Sequence, residues 1–352
     1  YNYLPFFDSF RVPSMILILS NFCIYILSAY GLKDSIELLR DKFPKIKTDI
    51  ILSFFLIFSF IDIYRIDIRI INPKQDSGQQ NQITSIDNFE SVFYDDETII
   101  FLKENLGLNR IYPAGSLFTD PKFKYHGIES VGGYHPAKFG HYSELLKNTN
   151  NLLSIPVLQL LNVKYIVSPF EISHQELFLE KKTVFQSVNG KKNVYIYYLV
   201  RSNPRAWFVK DVIKEDNNLY NYLTASAFNP SKTAIVDKLE DSRYLVGKIL
   251  NIDWDVEKII IDYEAKENGV LVLSEIYYPA RWKAYVDNKE VEILKANGVL
   301  RAVEVKAGTN KITFEYDNSL FQILHKISNF IVFFISFYLL KPLVMALLKN
   351  FR

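Results

Sequence analysis

Long uncharged runs lie near both ends of the chain, and a charged, turn-rich section separates them. Residues 12–30 contain no charged side chain over nineteen positions, close to the ~20 apolar residues with which a helix crosses a bilayer core. Residues 50–64 and 327–340 form two further apolar runs, and the last one continues past Lys341 and Pro342. We therefore predict transmembrane helices at about 12–30, 50–64 and 321–352.

The first apolar run carries its polar residues at a regular spacing. Ser14, Asn21 and Ser28 recur every seven residues, which places them on one stripe of a helix. Such a stripe favours contact between helices in lipid. The alternative interpretation is that these polar residues make no specific contact and are simply tolerated in the membrane.

Basic residues predict the orientation of these helices. The segment 31–49 and the C-terminus carry Lys33, Arg40, Lys42, Lys45, Lys47, Lys349 and Arg352. The opposite side carries Arg11, Arg65, Arg69, Lys74 and Lys326. Under the positive-inside rule, we expect residues 1–74 to form two helices joined by a cytoplasmic loop and the long middle section to lie outside.

The first part of the middle section mixes helical and strand patterns. Residues 75–82 are a polar linker, and residues 95–105 and 143–161 have helical patterns, the second broken at Pro156. Strand patterns occupy residues 110–113, 162–167, 183–188 and 193–200. The last two flank Asn189-Gly190, a strong hairpin signal. We predict an extracytoplasmic α/β or α+β domain over residues 75–210.

The second part consists of short strands that follow one another closely. A short helix is predicted at 219–225, and strands at 243–250, 256–265, 270–278, 282–286, 291–295, 299–305 and 311–316. Turn residues such as Asp287-Asn288 and Asn297-Gly298 separate the strands. This spacing predicts an antiparallel β-sandwich over residues 211–320.

Charge and cysteine content exclude several classes of function. The formal net charge is +2 and no basic patch is concentrated anywhere, so nucleic acid is not an expected partner. Cys23 is the only cysteine, which excludes an intramolecular disulfide and cysteine-based zinc sites. No Walker, dinucleotide or Gly-x-Ser-x-Gly pattern occurs, so no catalytic residue and no cofactor is indicated.

Residues 131–142, VGGYHPAKFGHY, are the most function-like segment. Adjacent glycines allow close approach to the backbone, and Tyr134, His135, Lys138 and His141 could bind a phosphate or sugar hydroxyls. The alternative is a structural loop in which Gly133 turns the chain and Tyr134 packs. The two histidines are six residues apart, unlike the i, i+4 spacing of a helical zinc motif.

The stretch EIYYPARWKAYVDNKE at 275–290 is rich in aromatic side chains. Two interpretations are possible for Tyr277, Trp282 and Tyr285. Their side chains could fill the core or rim of the sandwich, or they could form an aromatic surface on which a sugar ring packs. In the second case Tyr278, Arg281 and Trp282 would bind substrate.

Several stretches resemble one known family in order along the chain. They are IDIYRIDIRIIN at 61–72, YHGIESVGGYHPAKFGHYSELL at 125–146, LQLLNVKYIVSP at 158–169, NPRAWFV at 203–209, FNPSKTAIVD at 228–237 and LVLSEIYYPARWKAYVDNKEVEILKANGVLRAVEVKAGTNKITFEY at 271–316. Together they resemble the bacterial membrane protein YfhO family. Arg281 and Asn288 stand where that family usually has glycine, and Asn tolerates a positive φ in a turn.

The resemblance implies a multi-pass inner-membrane protein of the GT-C glycosyltransferase superfamily. Such enzymes transfer a sugar from a polyprenyl-phosphate donor to an envelope glycan acceptor outside the membrane. Their acidic catalytic residue usually follows the first membrane helix, so we expect this chain to be the C-terminal part of a longer polypeptide without that residue. The resemblance is compatible with a divalent cation in the full-length enzyme. The alternative is a non-catalytic glycan-binding or envelope-assembly protein anchored in the lipid bilayer.

Overall fold

A computed structural model describes the backbone of residues 17–43, 48–71, 86–135 and 138–350. The chain divides into two compact units, residues 1–89 and 90–352. The predicted linker at 75–82, and residues 12–16 of the first predicted helix, lie outside the described residues.

The first unit contains two long helices, α1 (Leu17–Lys42) and α2 (Thr48–Ile71). α1 does not end near Tyr30, so the first twelve residues of the predicted cytoplasmic loop are helical. The reason lies in the sequence GLKDSIELLRDK at 31–42, which is rich in good helix formers and contains no proline. Among the described residues of the whole chain, one helical segment is long and apolar enough to cross a membrane, Ser319–Phe337.

The first layer of the second unit is a four-stranded sheet with short helices. Helix α3 (Ile86–Phe93) spans the boundary between the two units. The helices of this layer are α4 (Glu97–Asn105), α5 (Pro121–Tyr125), α6 (Gly140–Asn148) and α7 (Ile155–Leu160). Its strands are β1 (Arg110–Pro113), β2 (Val163–Ser168), β3 (Leu177–Ser187) and β4 (Gly190–Leu199). The strand order is β1-β2-β4-β3, with β1 and β2 parallel. The hairpin predicted at Asn189-Gly190 is confirmed, because Ser187 pairs with Gly190 across the turn.

Two further sheets form the β-sandwich. The strands of the first, seven-stranded sheet are β5 (Ala206–Val209), β6 (Asp211–Lys214), β7 (Thr233–Val236), β8 (Ser242–Arg243), β11 (Gly269–Ile276), β14 (Leu294–Ala296) and β15 (Leu300–Val305). Those of the second, five-stranded sheet are β9 (Lys248–Trp254), β10 (Lys258–Glu264), β12 (Trp282–Val286), β13 (Lys289–Val291) and β16 (Lys311–Tyr316). The seven-stranded sheet has the order β5-β11-β15-β14-β7-β6-β8, and the five-stranded sheet has the order β13-β12-β16-β10-β9. The short helix α8 (Leu219–Thr224) precedes β7.

The sandwich departs from the sequence prediction in three respects. β5, β6 and β7 were not predicted as strands. Strands β6 and β7 are parallel, so the seven-stranded sheet is mixed and not wholly antiparallel. The strand predicted at 243–250 is split into β8 and β9. Gly247 lies at the break, where a Cβ would stand 2.8 Å from the carbonyl oxygen of Glu264. This close approach of two backbones requires glycine and interrupts the strand.

The seven-stranded sheet is covered on both faces. Val270 and Val272 of β11 belong to a core that also holds Leu160 of α7, whereas Leu271 and Leu273 face the five-stranded sheet. A strand buried on both sides explains why GVLVLS at 269–274 is continuously apolar and does not alternate. The second unit is therefore built in three layers around this sheet.

The last helix, α9 (Ser319–Asn350), follows β16 after a two-residue connection. The Asp317 carboxylate accepts a hydrogen bond from the Ser319 amide at 3.0 Å, and the Asp317 amide donates to the Arg281 carbonyl at 2.7 Å. These bonds attach the beginning of α9 to the same end of the sandwich as the loop that precedes β12.

Candidate functional site

A pocket of about 690 Å³ lies beside the loop of residues 130–135, which contains Gly132 and Gly133. The lining residues used below are Arg110, Lys124, Glu129, Val131, Tyr134, His135, Lys138, Phe139, Tyr142 and Ser274. A volume in this range is typical of small-molecule sites. The pocket draws residues from β1, the loop, α6 and the end of β11.

The loop approaches β1 and then turns away through its two glycines. The amide of Val131 donates to the Ile111 carbonyl at 3.0 Å, and the amide of Gly133 donates to the Phe118 carbonyl at 2.6 Å. A Cβ on Gly132 would collide with that same carbonyl oxygen, and Gly133 has a φ of 120°. The glycines are therefore required by backbone geometry, and this geometry presents the following residues to the pocket.

Tyr142 of α6 holds the loop from the other side. Its hydroxyl donates to the Val131 carbonyl, and burial raises the pKa of this phenol above its ordinary value. The hydroxyl therefore stays protonated and keeps its role as a donor. This bond fixes α6 against the loop.

Three of the residues predicted from the sequence, Tyr134, His135 and Lys138, line the pocket together. Tyr134 is 67% exposed at the mouth, close to Phe139, which is 47% exposed. The structure thus brings aromatic surface and a cationic side chain to one opening.

Two residues at the beginning of α6 contact the aromatic stretch that follows β11. The ring centroids of Phe139 and Tyr278 are 5.2 Å apart, and those of His141 and Tyr277 are 6.0 Å apart. His141 and Tyr278 therefore lie at the contact between the two segments and do not line the pocket. The two candidate segments, far apart in sequence, form one region of the surface.

Trp282 and Arg281 occupy a different position. The guanidinium carbon of Arg301 lies 4.0 Å from the centroid of the Trp282 ring, and Tyr316 packs edge-on against that ring at 5.6 Å. The Arg281 backbone ties Tyr278 to Asp317. Neither residue lines the pocket, and the contacts of Trp282 agree with the packing interpretation of this tryptophan.

A cluster of charged residues behind the pocket was not predicted from the sequence. Arg205 Nη2 lies 2.8 Å from Glu129 and 2.7 Å from Glu275, and Arg110 forms ion pairs with the same two carboxylates. Arg110 Nη1 also donates to the Ser274 carbonyl at 2.7 Å. Arg301, on the neighbouring strand, donates from Nε to the Ile276 carbonyl at 2.9 Å. The only sequence signal was a set of charges placed inside or next to apolar strands.

This cluster carries an excess of positive charge. Burial lowers the pKa of Arg205, and the positive charge of Arg110 lowers it further, while both glutamates oppose the change. Burial likewise lowers the pKa of Arg301 to about 10, which leaves it charged at neutral pH. The Nε of Arg205 and the Nη1 of Arg301 are buried without a hydrogen-bond partner in the described part of the protein. Arg110 and Arg205 share the two glutamates, and Arg301 beside them adds a third positive charge, so the five side chains carry one net positive charge.

The side chains can bind anions or hydroxyl groups, but they do not form a metal centre. The described residues contain no cluster of three or more His, Cys, Asp and Glu that could hold an ion. The two histidines of the loop also have different surroundings, since His135 lines the pocket and His141 packs on Tyr277. Among the described residues, the lining of the pocket therefore offers no ready set of ligands for a divalent cation.

Comparison with known proteins gives one match. Residues 245–328 match the family model described as bacterial membrane protein YfhO. This segment, about a quarter of the chain, is similar to the YfhO family. The YfhO match covers β9 to β16 and the beginning of α9, so it includes Arg281, Trp282 and Arg301. It confirms the resemblance seen in the sequence and supports the assignment of a membrane protein. No curated protein and no solved structure matches the chain.

Proposed function

We propose that this chain is the C-terminal part of a GT-C-type glycosyltransferase that takes a sugar from a polyprenyl phosphate and modifies a cell-envelope polymer. In this proposal α9 crosses the inner membrane of a multi-pass protein, and the second unit up to β16 lies outside the cytoplasm. The pocket beside the loop binds one of the two substrates.

The observation that carries the proposal is a continuous path from the pocket to the beginning of α9. Phe139 packs on Tyr278, whose carbonyl accepts a hydrogen bond from the Trp282 amide at 3.2 Å. Trp282 packs on Tyr316, the last residue of β16, and α9 begins three residues later. If α9 crosses the bilayer, the pocket lies on the side of the sandwich nearest to the membrane surface, within reach of a lipid-linked substrate.

The charge of the pocket supports the same assignment. Arg110, Lys124 and Lys138 line it, and the cluster behind Arg110 adds further positive charge. Cations at a partly closed site favour a phosphate group through charge-assisted hydrogen bonds. The exposed rings of Tyr134 and Phe139 offer apolar faces against which a sugar could lie.

The role assigned to this chain is binding and not proton transfer. Glu129 is the glutamate that lines the pocket, and Arg205 and Arg110 both hold its carboxylate. Two ion pairs therefore occupy this carboxylate. Asp120, the other carboxylate of the lining, accepts hydrogen bonds from the Lys122 amide and the Ser187 hydroxyl. We assign binding and not proton transfer to these groups.

Transfer of labelled sugar by the full-length protein in lipid vesicles tests the proposal. We expect Lys138→Gln and Tyr134→Ala to lower kcat/KM by roughly tenfold or more, the usual effect of losing a charge-assisted contact or an aromatic contact. Lys147→Gln is the matched control, because Lys147 is an exposed residue of α6 that does not line the pocket. Full activity in both pocket variants would refute the role of the pocket, and absence of transfer by the unmodified protein would refute the reaction.

The second candidate function is a non-catalytic glycan-binding or envelope-assembly protein. It is favoured by the pairing of both carboxylates among the described residues that line the pocket, since Glu129 forms ion pairs with Arg110 and Arg205, and Asp120 accepts two hydrogen bonds. Calorimetry with envelope polysaccharide separates the two. Binding that falls in Tyr134→Ala, without sugar transfer by the full-length protein, would support the second candidate.

A further inference from the structure

Two further cavities of the second unit join into one groove. The first, of about 710 Å³, lies between β1, the segment 150–155 and the loop after β2. The second, of about 720 Å³, continues past that segment to the end of α8. The two cavities adjoin, because they share the lining residues Leu153, Ser154, Ile155, Ser173 and His174. Together they are termed the neutral groove.

The neutral groove differs from the candidate pocket in its charge. Its acidic and basic lining residues are Glu176 and Arg201, which pair with each other, and Arg201 Nε donates to the Glu176 carboxylate at 3.2 Å. His174 accepts the Glu176 amide through Nδ1 at 3.1 Å, an arrangement that the neutral ring provides. The candidate pocket, by contrast, is lined by arginine and lysine side chains. A phosphate or carboxylate group therefore finds no unpaired cation in the described lining of the groove.

Uncharged hydrogen-bonding groups are numerous in the rest of the lining. They include the exposed side chains of Asn150, Asn151, Ser173, Gln175 and Ser226. Amide and hydroxyl side chains each contain both donors and acceptors. The hydroxyl groups of an uncharged sugar, which also donate and accept, find suitable partners in such a lining.

Ser154 lies where the two cavities meet, and its hydroxyl has no partner. It is the N-cap of α7, but its side chain does not cap the helix, although a serine at this position normally accepts an amide of the first turn. The Oγ is buried and forms no hydrogen bond in the described part of the protein. A buried hydroxyl without a partner is unfavourable, and a ligand hydroxyl in the groove would supply one after rotation of the serine side chain.

Exposed apolar surface lies beside these polar groups. Phe170 is 52% exposed, and its ring lies against Gly115, where an added Cβ would stand 3.1 Å from the ring. Leu153 is 65% exposed and follows three residues in the left-handed conformation, Asn150, Asn151 and Leu152, with φ of 47°, 57° and 67°. Non-glycine residues adopt this strained conformation where the surrounding structure imposes it, often beside ligands. The lining is therefore shaped before any ligand binds.

We propose that the neutral groove binds an uncharged oligosaccharide. A sugar ring has hydroxyl groups around its edge and CH groups on its faces, so it matches a lining of amides, hydroxyls and an exposed aromatic ring. An acyl chain would leave the amides without hydrogen-bond partners. A peptide that extends a sheet needs a free strand edge, whereas residues 150–154, 170–176 and 225–229 of the lining lie outside the strands.

The groove and the candidate pocket are both lined by Phe118. In a transferase, the cationic pocket takes the phosphate of the donor, and the neutral groove takes the glycan acceptor. This role as an acceptor site rests on the proposed function, whereas binding of the oligosaccharide requires no reaction.

An array of neutral and anionic envelope oligosaccharides, probed with the full-length protein in nanodiscs, tests this assignment. We expect neutral members to bind, and calorimetry with the tightest of them gives the Kd. Phe170→Ala is expected to raise this Kd roughly tenfold through loss of an aromatic contact, and Gln175→Ala several-fold through loss of a hydrogen bond. The matched controls are Phe178→Ala and Asn217→Ala, because both residues are exposed and line neither cavity.

Two outcomes would overturn the proposal. One is an array on which no neutral oligosaccharide binds, and the other is a Kd that neither groove variant changes. Gln175 is exposed, so its variant stays informative even if Phe170→Ala lowers the Tm.

Lys138→Gln separates this inference from the proposed function. We expect it to lower sugar transfer and to leave the Kd of the oligosaccharide unchanged. Oligosaccharide binding that depends on the groove, without any transfer, would refute the reaction and retain the groove. Transfer by a protein whose groove variants bind the oligosaccharide normally would refute the groove and retain the reaction.

Discussion

The side chain of Lys122 is fully buried although it carries a charge. Its ammonium group lies 2.7 Å from the Asp96 carboxylate and 3.2 Å from the Gln186 carbonyl, and it stands over the rings of Tyr94 and Phe185. Asp96 is also the N-cap of α4, where it accepts the Ile99 amide. One ion pair therefore joins α4, α5 and β3.

Lys122→Ala is expected to lower the free energy of unfolding by about 3–5 kcal/mol, because it leaves the Asp96 carboxylate in a buried site without its partner. Thermal unfolding measures the loss as a fall in Tm. Lys124→Ala is the control, since Lys124 is exposed on the same helix. Lys122→Met combined with Asp96→Asn should recover part of the loss. A double variant no more stable than Lys122→Ala would contradict this account.

The identity of an aromatic residue did not by itself decide its role, because the role depends on the side chains around it. Trp282 could be interpreted from sequence as a core residue or as a sugar platform, and its contact with Arg301 supports the first. Tyr134 could pack or bind, and it is exposed at the mouth of the pocket. An amphipathic ring suits both environments, so its neighbours decide the role.

At the scale of elements, the loop of residues 130–135 has a shape that its glycines determine. Gly132→Ala is expected to destabilise the loop, because the new Cβ would collide with the Phe118 carbonyl. We expect a lower Tm and a change in sugar transfer. Gly140→Ala is the control, since a Cβ there meets nothing within 4 Å. If Gly132→Ala behaves like Gly140→Ala, the loop is not held against Phe118.

Local turn chemistry made several elements predictable. β12 and β16 have the limits predicted from the sequence, and the turn after β12 and the turn before β16 contain residues with positive φ, Asn288 at 66° and Gly308 at 82°. Asparagine adopts this conformation readily, so the family's usual glycine is not required at 288. The split of the strand predicted at 243–250 was missed, because Gly247 is constrained by Glu264 and Phe208, which are remote in sequence.

At the scale of the second unit, the charged cluster connects two layers. Arg110 starts β1 in the four-stranded sheet, whereas Glu275 lies in β11 of the sandwich. A hydrophobic core also runs through both parts, from Leu160 to Leu300. These shared contacts favour a single cooperative unfolding transition for residues 90–352.

Glu275→Gln is expected to lower the free energy of unfolding by about 3 kcal/mol, because Arg110 and Arg205 then share one carboxylate in a partly buried site. Tryptophan fluorescence reports on the sandwich, and circular dichroism reports on both layers. Glu267→Gln is the exposed control. Separate transitions by the two probes in the unmodified protein would contradict the shared core, and an unchanged Tm in Glu275→Gln would contradict the role of the cluster.

The sequence by itself determined the local features of this protein. Uncharged runs, period-two strands and Asx-Gly turns predicted helices and most strands, because these signals depend on residues that are close along the chain. The family was indicated separately, by the resemblance of short motifs. Only the tertiary structure decided that the seven-stranded sheet is covered on both faces, and that the loop of residues 130–135, Tyr278 and the arginine cluster meet beside one pocket. Contacts between residues more than a hundred positions apart depend on how whole layers pack, and no short-range pattern records that packing.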